Sequence, residues 1–374
     1  MLKRLFYKAD KIILIATFGL MIYIPLITGI IQEDKTASNT EKRNLATIPA
    51  LPGSFDELIK YPKQFNQYYS DHFGFREKLT RAYFKNINRL GEQSSIDDVT
   101  FGQNNWLFLG STKPGYTNYG DPVGSAMNVN LFTQEELESY ARPLIATNGW
   151  LKKQGIAYVF VIAPNKHSIY FDKLPDYVTK KNKLSAIDQL VTYLREHTEI
   201  TVVDLRQALI EGRKNHQVYY KSDTHWNHFG ANIAQHEIMK IVKDIFPEQI
   251  TPALLADHQF EISTRNDGDL AKFANIETFS EPSPQPIFEE ICNTYIEQHN
   301  ATDASNYTTT CNTQKLKAVI YRDSFFIALQ PYFSNKFSSV TYISERINQP
   351  SLEKEIKKHK PDIVINEVVE RAIP

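Results

Sequence analysis

The sequence predicts an α/β protein built on a parallel sheet with helices on both faces. Ala157 to Ala163 is a continuous apolar, β-branched run, as expected of a parallel strand buried on both sides. Four further short apolar runs, at 200–204, 316–321, 338–343 and 362–365, alternate with stretches of helical spacing, the pattern of a doubly covered sheet. A composition of 42% hydrophobic and 23% charged residues over 374 positions suits one large globular domain or two ordinary ones.

Before the α/β region, residues 1–11 carry Lys3, Arg4, Lys8 and Lys11 against Asp10. Ile12 to Ile31 then runs without a charge; as a helix it would span about 30 Å, the thickness of a bilayer core. The basic flank should stay in the cytoplasm. The expectation is a cytoplasmic segment 1–11, an uncleaved anchor 12–31, a linker 32–53 and an external domain 54–374. A cleaved signal peptide is the alternative and places the body in the same compartment.

Ser54 with Glu57 suggests a capping box opening a helical stretch to Leu90, broken at Asp71-His-Phe-Gly-Phe-Arg76. Phe101 to Gly110 reads as a hairpin around a polar turn. A helix is expected over 133–154 after Thr133, another near 183–197, one after 228 through Phe229, Ile233, Ile238, Ile241 and Ile245, and one near 351–359. Residues 256–314 are less regular and read as an insertion. The two cysteines, Cys292 and Cys311, are expected to pair across it in an oxidising compartment.

The net charge of −1 gives no reason to expect nucleic-acid binding. The 20 Tyr and 22 Phe suit either a core or a sugar-binding face. Two stretches carry candidate chemistry. Asp223 and His225 are two apart; in extended backbone they share a side, so the carboxylate can hold Nδ1–H and leave Nε2 free as a base. Ser324 ends a buried strand, where sites collect in open α/β sheets. Singly, the first can be a surface loop and the second a helix N-cap; together they form an Asp223/His225/Ser324 candidate triad. Asp223, His225 and His228 as zinc ligands are the competing reading. His72, His167, His216 and His236 read as structural.

Asp223-Thr-His-Trp226 with Asn227-His-Phe-Gly230, and Tyr321-Arg-Asp-Ser-Phe325, resemble the two catalytic motifs of the SGNH-hydrolase-like polysaccharide O-acetyltransferases of the AlgJ/AlgX alginate-acetylation type. Glu41-Lys-Arg-Asn-Leu45, Asn105-Trp-Leu-Phe108, Gly268-Asp-Leu270 and Pro361-Asp-Ile-Val with Glu370-Arg371 match in the expected order, so the resemblance covers nearly all of the chain after the anchor. It implies a circularly permuted SGNH-like sheet, because the Asp/His loop precedes the serine. It further implies a Ser324 acyl-enzyme needing no cofactor or metal, with Asn366, Trp226, Arg322 and Tyr321 as candidate oxyanion or substrate residues. Trp226 can equally be core. The Ser324 N–H is a further oxyanion donor. The implied partners are a polysaccharide acceptor and a membrane-bound O-acyltransferase relaying the acetyl donor. The implied location is the periplasmic face of a bacterial inner membrane. An acetylesterase with the same triad and a non-catalytic polysaccharide-binding assembly subunit are the alternatives.

Overall fold

The computed structural model describes residues 2–31, 34, 36–38, 43–75, 95–96, 99–111, 120–250, 259–274, 276, 279–288, 295–300 and 303–373. It divides into two compact units, 1–92 with 272–277, and 93–271 with 278–374.

In the first unit, Leu2–Ile31 (α1) is one helix with Pro25 inside it. Among the described residues, no helix is long and apolar enough to cross a membrane. The side chains of residues 2–12, 26 and 30 lie outside the described residues. Phe55–His72 (α2) starts at Ser54, whose side chain accepts the Glu57 N–H at 3.3 Å. Glu57 in turn accepts the Gly53 N–H at 2.7 Å, so the cap spans one residue more than the expected box. The remainder of the expected helical stretch, from Arg76 on, lies outside the described residues.

The second unit holds the sheet. Its elements are the strands Val99–Phe101 (β1) and Leu107–Leu109 (β2), the helix Gln134–Lys152 (α3) and the strand Ala157–Ala163 (β3). Ala186–His197 (α4), Thr201–Asp204 (β4), Arg206–Gly212 (α5) and His228–Ile245 (α6) follow. Then come Gln259–Arg265 (β5), Glu281–Ile287 (β6), Tyr295–Asn300 (β7), Asp303–Thr310 (β8) and Lys317–Tyr321 (β9). Ser339–Ile343 (β10), Gln349–His359 (α7) and Ile363–Val369 (β11) close the unit.

The central sheet is mixed, with strand order β7-β8-β10-β9-β11-β3-β4. The five strands from β10 to β4 are parallel and coincide with the five apolar runs. Counted from β9, they follow the doubly wound order 2-1-3-4-5, so the chain runs as a circular permutation of that order. Residues 256–314, expected as an irregular insertion, contain the four strands β5 to β8. Within it, β7 and β8 form an antiparallel hairpin that extends the sheet beyond β10. Its edge carries threonine where apolar residues signal a strand: Thr308 and Thr341 hydroxyls meet at 3.0 Å across β8 and β10. β5 and β6 pair antiparallel in a separate ribbon. Cys311 is disulfide-bonded; Cys292 lies outside the described residues.

Two apolar layers cover the sheet. Leu137, Leu151, Leu190, Leu194 and Leu352 of α3, α4 and α7 pack with Val319, Tyr321 and Val364 on one face. Ala231, Ile238 and Val242 of α6 pack with Ile320, Ile365, Phe325 and Phe333 on the other. α3 begins with Thr133 and Glu136 capping each other reciprocally, as its sequence predicts.

Candidate active site

β9 lies between β10 and β11, where the winding of the sheet reverses, and such switch points leave a crevice at the strand ends. Asp323 follows β9 and caps the 3-10 turn Ser324–Leu329, accepting the Phe325 N–H at 2.9 Å and the Val369 N–H at 2.8 Å. Ser324 stands exposed at the first position of that turn. Among the described residues no acceptor takes its N–H, as expected of the first residue of a helical turn.

The Asp/His loop meets it from the other side. His225 Nε2 lies 2.8 Å from Ser324 Oγ, and Nδ1 lies 2.7 Å from Asp223 Oδ1. The pair does not arise from extended backbone. Asp223 Oδ1 also accepts the His225 backbone N–H at 3.0 Å, so the chain bends in a turn closed by the carboxylate. One oxygen thus fixes both the ring and its backbone. Burial alone would raise the Asp223 pKa; the hydrogen bond from His225, its charge, its backbone N–H and Arg265 outweigh that and hold the carboxyl well below the usual range.

Trp226 ties the two stretches together: its Nε1–H donates to the Phe325 carbonyl at 3.0 Å, and its ring packs edge-on against Phe325 at 5.2 Å. It is 1% exposed, so it is a core residue that places the serine turn and presents no face to a sugar. Three other candidates lie away from the crevice. Asn366 is buried in the layer of α3 and α4, its Nδ2 donating to the Tyr158 hydroxyl at 2.9 Å. Strand alternation turns it away from Ser324. Tyr321 is fully buried in the same layer, its hydroxyl 3.1 Å from Ser351 Oγ. Arg322 donates to the Ser305 carbonyl at 2.8 Å and bridges β9 to β8. The residue after Asn366 does the work there: Glu367 Oε2 accepts the Asp323 N–H at 3.0 Å. Burial and the neighbouring Asp323 push its carboxyl well up.

Of the groups that hold the Asp/His loop, Gly268, Asp269 and Leu107 lie in stretches that the resemblance matched, whereas Arg265, Glu281 and Lys166 were missed in the sequence. Arg265 at the end of β5 donates to Asp223 Oδ2 at 3.0 Å, donates to Asp267 at 2.9 Å, and lies over the Tyr220 ring at 4.1 Å. The Asp269 N–H also donates to Asp223 Oδ2, at 3.2 Å, while the Asp269 carboxylate accepts Thr224 N–H at 2.7 Å and Thr224 Oγ1–H at 2.6 Å. Gly268 is required because a Cβ there would run into the Ser222 carbonyl oxygen. Glu281 of β6 accepts the N–H groups of Lys221 and Ser222, and Leu107 of the predicted hairpin donates to the Lys221 carbonyl at 3.0 Å.

Lys166 is buried beneath this loop and donates to the carbonyls of Tyr220, Lys221 and Asp223 at 3.0, 3.1 and 2.7 Å. Burial pushes its amine down to about 7, against the attraction of Asp269, Asp223 and Glu281. Three acceptors need the three N–H bonds of an ammonium, so the geometry holds the charged form. Lys166→Met should leave these carbonyls unsatisfied and destabilise the protein by about 3–5 kcal/mol, read as a lower urea midpoint.

Asp223, His225 and Asp269 present ligand atoms within 4.8 Å of one another, but both His225 nitrogens are already engaged by Asp223 and Ser324, and His228 stands outside the group. His167 Nε2 lies 2.8 Å from the Leu109 carbonyl, and His216 stacks on Phe229 at 4.4 Å; both are structural, as expected. Ser324 and His225 open into a cleft of about 730 Å³ whose lining also includes Tyr307, Ile327 and Gln330.

The family described as "SGNH hydrolase-like domain, acetyltransferase AlgX" matches residues 99–325, more than half of the chain. The probable alginate O-acetylase AlgJ of Pseudomonas syringae pv. tomato is 23% identical over 237 residues, covering 61% of this chain and 54% of that protein; the chain spans about half the length of this curated relative. Bacillus cereus PatB1 shares the fold, with a TM-score of 0.52, 14% identity, and coverage of 72% of this chain and 95% of that one. The O-acetyltransferase domain of Pseudomonas putida AlgJ superposes with a TM-score of 0.45 at 18% identity, covering 74% and 92%. The matched segment runs from β1 to the residue after Ser324 and contains the whole Asp/His loop, and the chain belongs to the SGNH hydrolase-like AlgX acetyltransferase-domain family.

Proposed function

We propose that the protein is an O-acetyltransferase that moves acetyl groups onto hydroxyls of an exported or cell-surface polysaccharide through a Ser324 acyl-enzyme. The observation that carries this reading is the unbroken hydrogen-bond chain Asp223–His225–Ser324, ending on an exposed hydroxyl in an open cleft. A serine hydroxyl is a weak nucleophile until a base takes its proton. His225 Nε2 removes the Oγ proton as Oγ attacks the donor carbonyl. The tetrahedral oxyanion lies at the turn's N-terminus, where the Ser324 N–H can donate to it. Collapse breaks the donor's acyl–oxygen bond, and the imidazolium protonates the departing group. An acceptor hydroxyl then gives its proton to His225 and attacks the acetyl ester; as the Ser324 ester bond breaks, the imidazolium returns that proton to Oγ and the serine is free. Asp223 stays ionised throughout and stabilises the imidazolium.

A polysaccharide acceptor is supported by the name of the Pseudomonas syringae relative, and family resemblance supports donor relay by a membrane-bound O-acyltransferase. The deciding experiment measures acetyl transfer to an oligosaccharide against release of free acetate. Transfer at or above hydrolysis supports the reading; acetate alone makes the protein an esterase.

The proposed location is the periplasmic side of the inner membrane, with 12–31 as anchor. Its support is the uncharged run behind a basic flank and the helical backbone of α1. A phosphatase fused after Pro374 should be active, whereas a reporter that works only in the cytoplasm should be silent. The opposite pattern would refute the topology.

A further inference from the structure

Beneath the serine turn lies an acid that the mechanism does not use. Strand alternation along β11 puts Glu367 on the face of Ile365 and Val369, in the apolar layer that also holds Ile320, Phe325 and Val161. Val161 is its neighbour in register on β3. Glu367 is 1% exposed, and no described Lys, Arg or His forms an ion pair with it.

Its contacts are one-sided. Oε2 accepts the Asp323 N–H at 3.0 Å. Oε1 is buried with no hydrogen-bond partner, and the carboxyl lies within hydrogen-bond reach of the Asp323 carboxylate. Asp323 takes one N–H on each oxygen, that of Phe325 on Oδ1 and that of Val369 on Oδ2. Each oxygen keeps a further lone pair for a hydroxyl. Two carboxylates side by side cannot both stay ionised, and a lone carboxylate in an apolar layer takes up a proton instead. The two N–H groups favour the charge on Asp323, so the proton belongs to Glu367, on the otherwise unpartnered Oε1.

The other charged or titratable groups around Glu367 leave this assignment in place. Arg322 donates to the carbonyls of Asp323 and Ser305. Arg346 is exposed beyond β10, and burial together with Asp323 outweighs its attraction. Tyr219 donates its hydroxyl to the Pro164 carbonyl. Arg371 lies over the Phe325 ring with Nη1 on Asn165.

We propose that Glu367 is a positioning residue that acts as a neutral acid: Oε2 accepts the Asp323 N–H, Oε1–H donates to the Asp323 carboxylate, and the pair fixes the turn that carries Ser324. Only the kinetic arm of its test rests on the acyl-transfer reading.

The test compares the full chain with Glu367→Gln, which keeps an acceptor and a donor but cannot ionise, and with Glu367→Leu, which has neither. Urea unfolding is followed by tryptophan fluorescence, because Trp106, Trp150 and Trp226 all lie in the second unit. A free glutamate ionises near about pH 4.3. Below that pH both states of the parent hold the proton. Above it the unfolded chain releases the proton and the folded protein keeps it, so the parent loses stability relative to Glu367→Gln as pH rises. The ratio of the parent's folding constant to that of Glu367→Gln should fall by up to about tenfold per pH unit between about pH 5 and 7. A ratio that is flat or rises puts an ionised Glu367 in the fold and overturns the proposal. Amide hydrogen exchange over 323–329 should quicken in Glu367→Leu and keep the parent rate in Glu367→Gln. With a nitrophenyl ester, Glu367→Leu should lower kcat on the order of 10²-fold, the cost of displacing a reacting group by about 1 Å, with KM near the parent's; Glu367→Gln should recover most of that loss. Parent exchange and parent kcat in Glu367→Leu would overturn the positioning role. If even the parent never turns over the ester, the acyl-transfer reading fails, and the stability ratio and the exchange rates still decide for or against Glu367.

Discussion

Ser324→Ala should abolish acetyl transfer, with a loss on the order of 10⁶-fold in kcat if the serine acts as other triad nucleophiles do. In the proposed mechanism the hydroxyl oxygen takes up the acetyl group, and its position is set by groups the substitution leaves intact. Asp323 still caps the turn through Phe325 and Val369, and Trp226 still holds the Phe325 carbonyl. Ser324 is itself exposed, so the variant should keep the parent's thermal midpoint and circular dichroism. Rates of transfer from a nitrophenyl ester to an oligosaccharide, measured on both proteins, check the loss. Transfer at the parent rate would remove Ser324 from the mechanism.

Asp223→Ala should cost on the order of 10⁴-fold in kcat. The carboxylate fixes the His225 ring through Nδ1 at 2.7 Å and its backbone at 3.0 Å. Its loss frees both, and the ring no longer presents the tautomer with Nε2 as acceptor. Arg265 keeps Asp267 and its place over Tyr220, which retains a folded loop. The loss should not add to that of Ser324→Ala, because the groups act as one unit. A double variant no slower than Ser324→Ala alone is the expected result of steady-state kinetics, and a further large drop would mean that Asp223 acts on something other than His225.

Much of the fold was legible because five parallel strands, buried on both faces, must be apolar throughout. The β7–β8 hairpin was not, because Tyr307-Thr-Thr-Thr310 satisfies a strand with hydroxyls that bond across the sheet instead of with apolar side chains. The triad residues were legible as a pair of short motifs, although the bend that joins Asp223 to His225 came from an Asx-type hydrogen bond and not from strand alternation. Tyr321 and Asn366 lie in the layer away from Ser324, and Trp226, open between core and sugar face, is core, because residue type does not tell which face of an element a side chain takes. Arg265, Lys166 and Glu281 act on the loop from 42 to 60 residues away, a distance at which spacing carries no information. Lys166 did leave a signal. It is a charge set immediately after a fully apolar strand, where it must find acceptors or be excluded from the fold.

The central claim is that acetyl resides on Ser324 between donor and acceptor. Brief exposure to a nitrophenyl acetate, acid quench and intact-protein mass spectrometry should show the mass of one added acetyl group, mapped by peptide analysis to Ser324 and discharged when an oligosaccharide is added before the quench. An unmodified protein that nevertheless turns over the donor, or an acetyl group on another residue that discharges to the acceptor while Ser324 stays free, would contradict it.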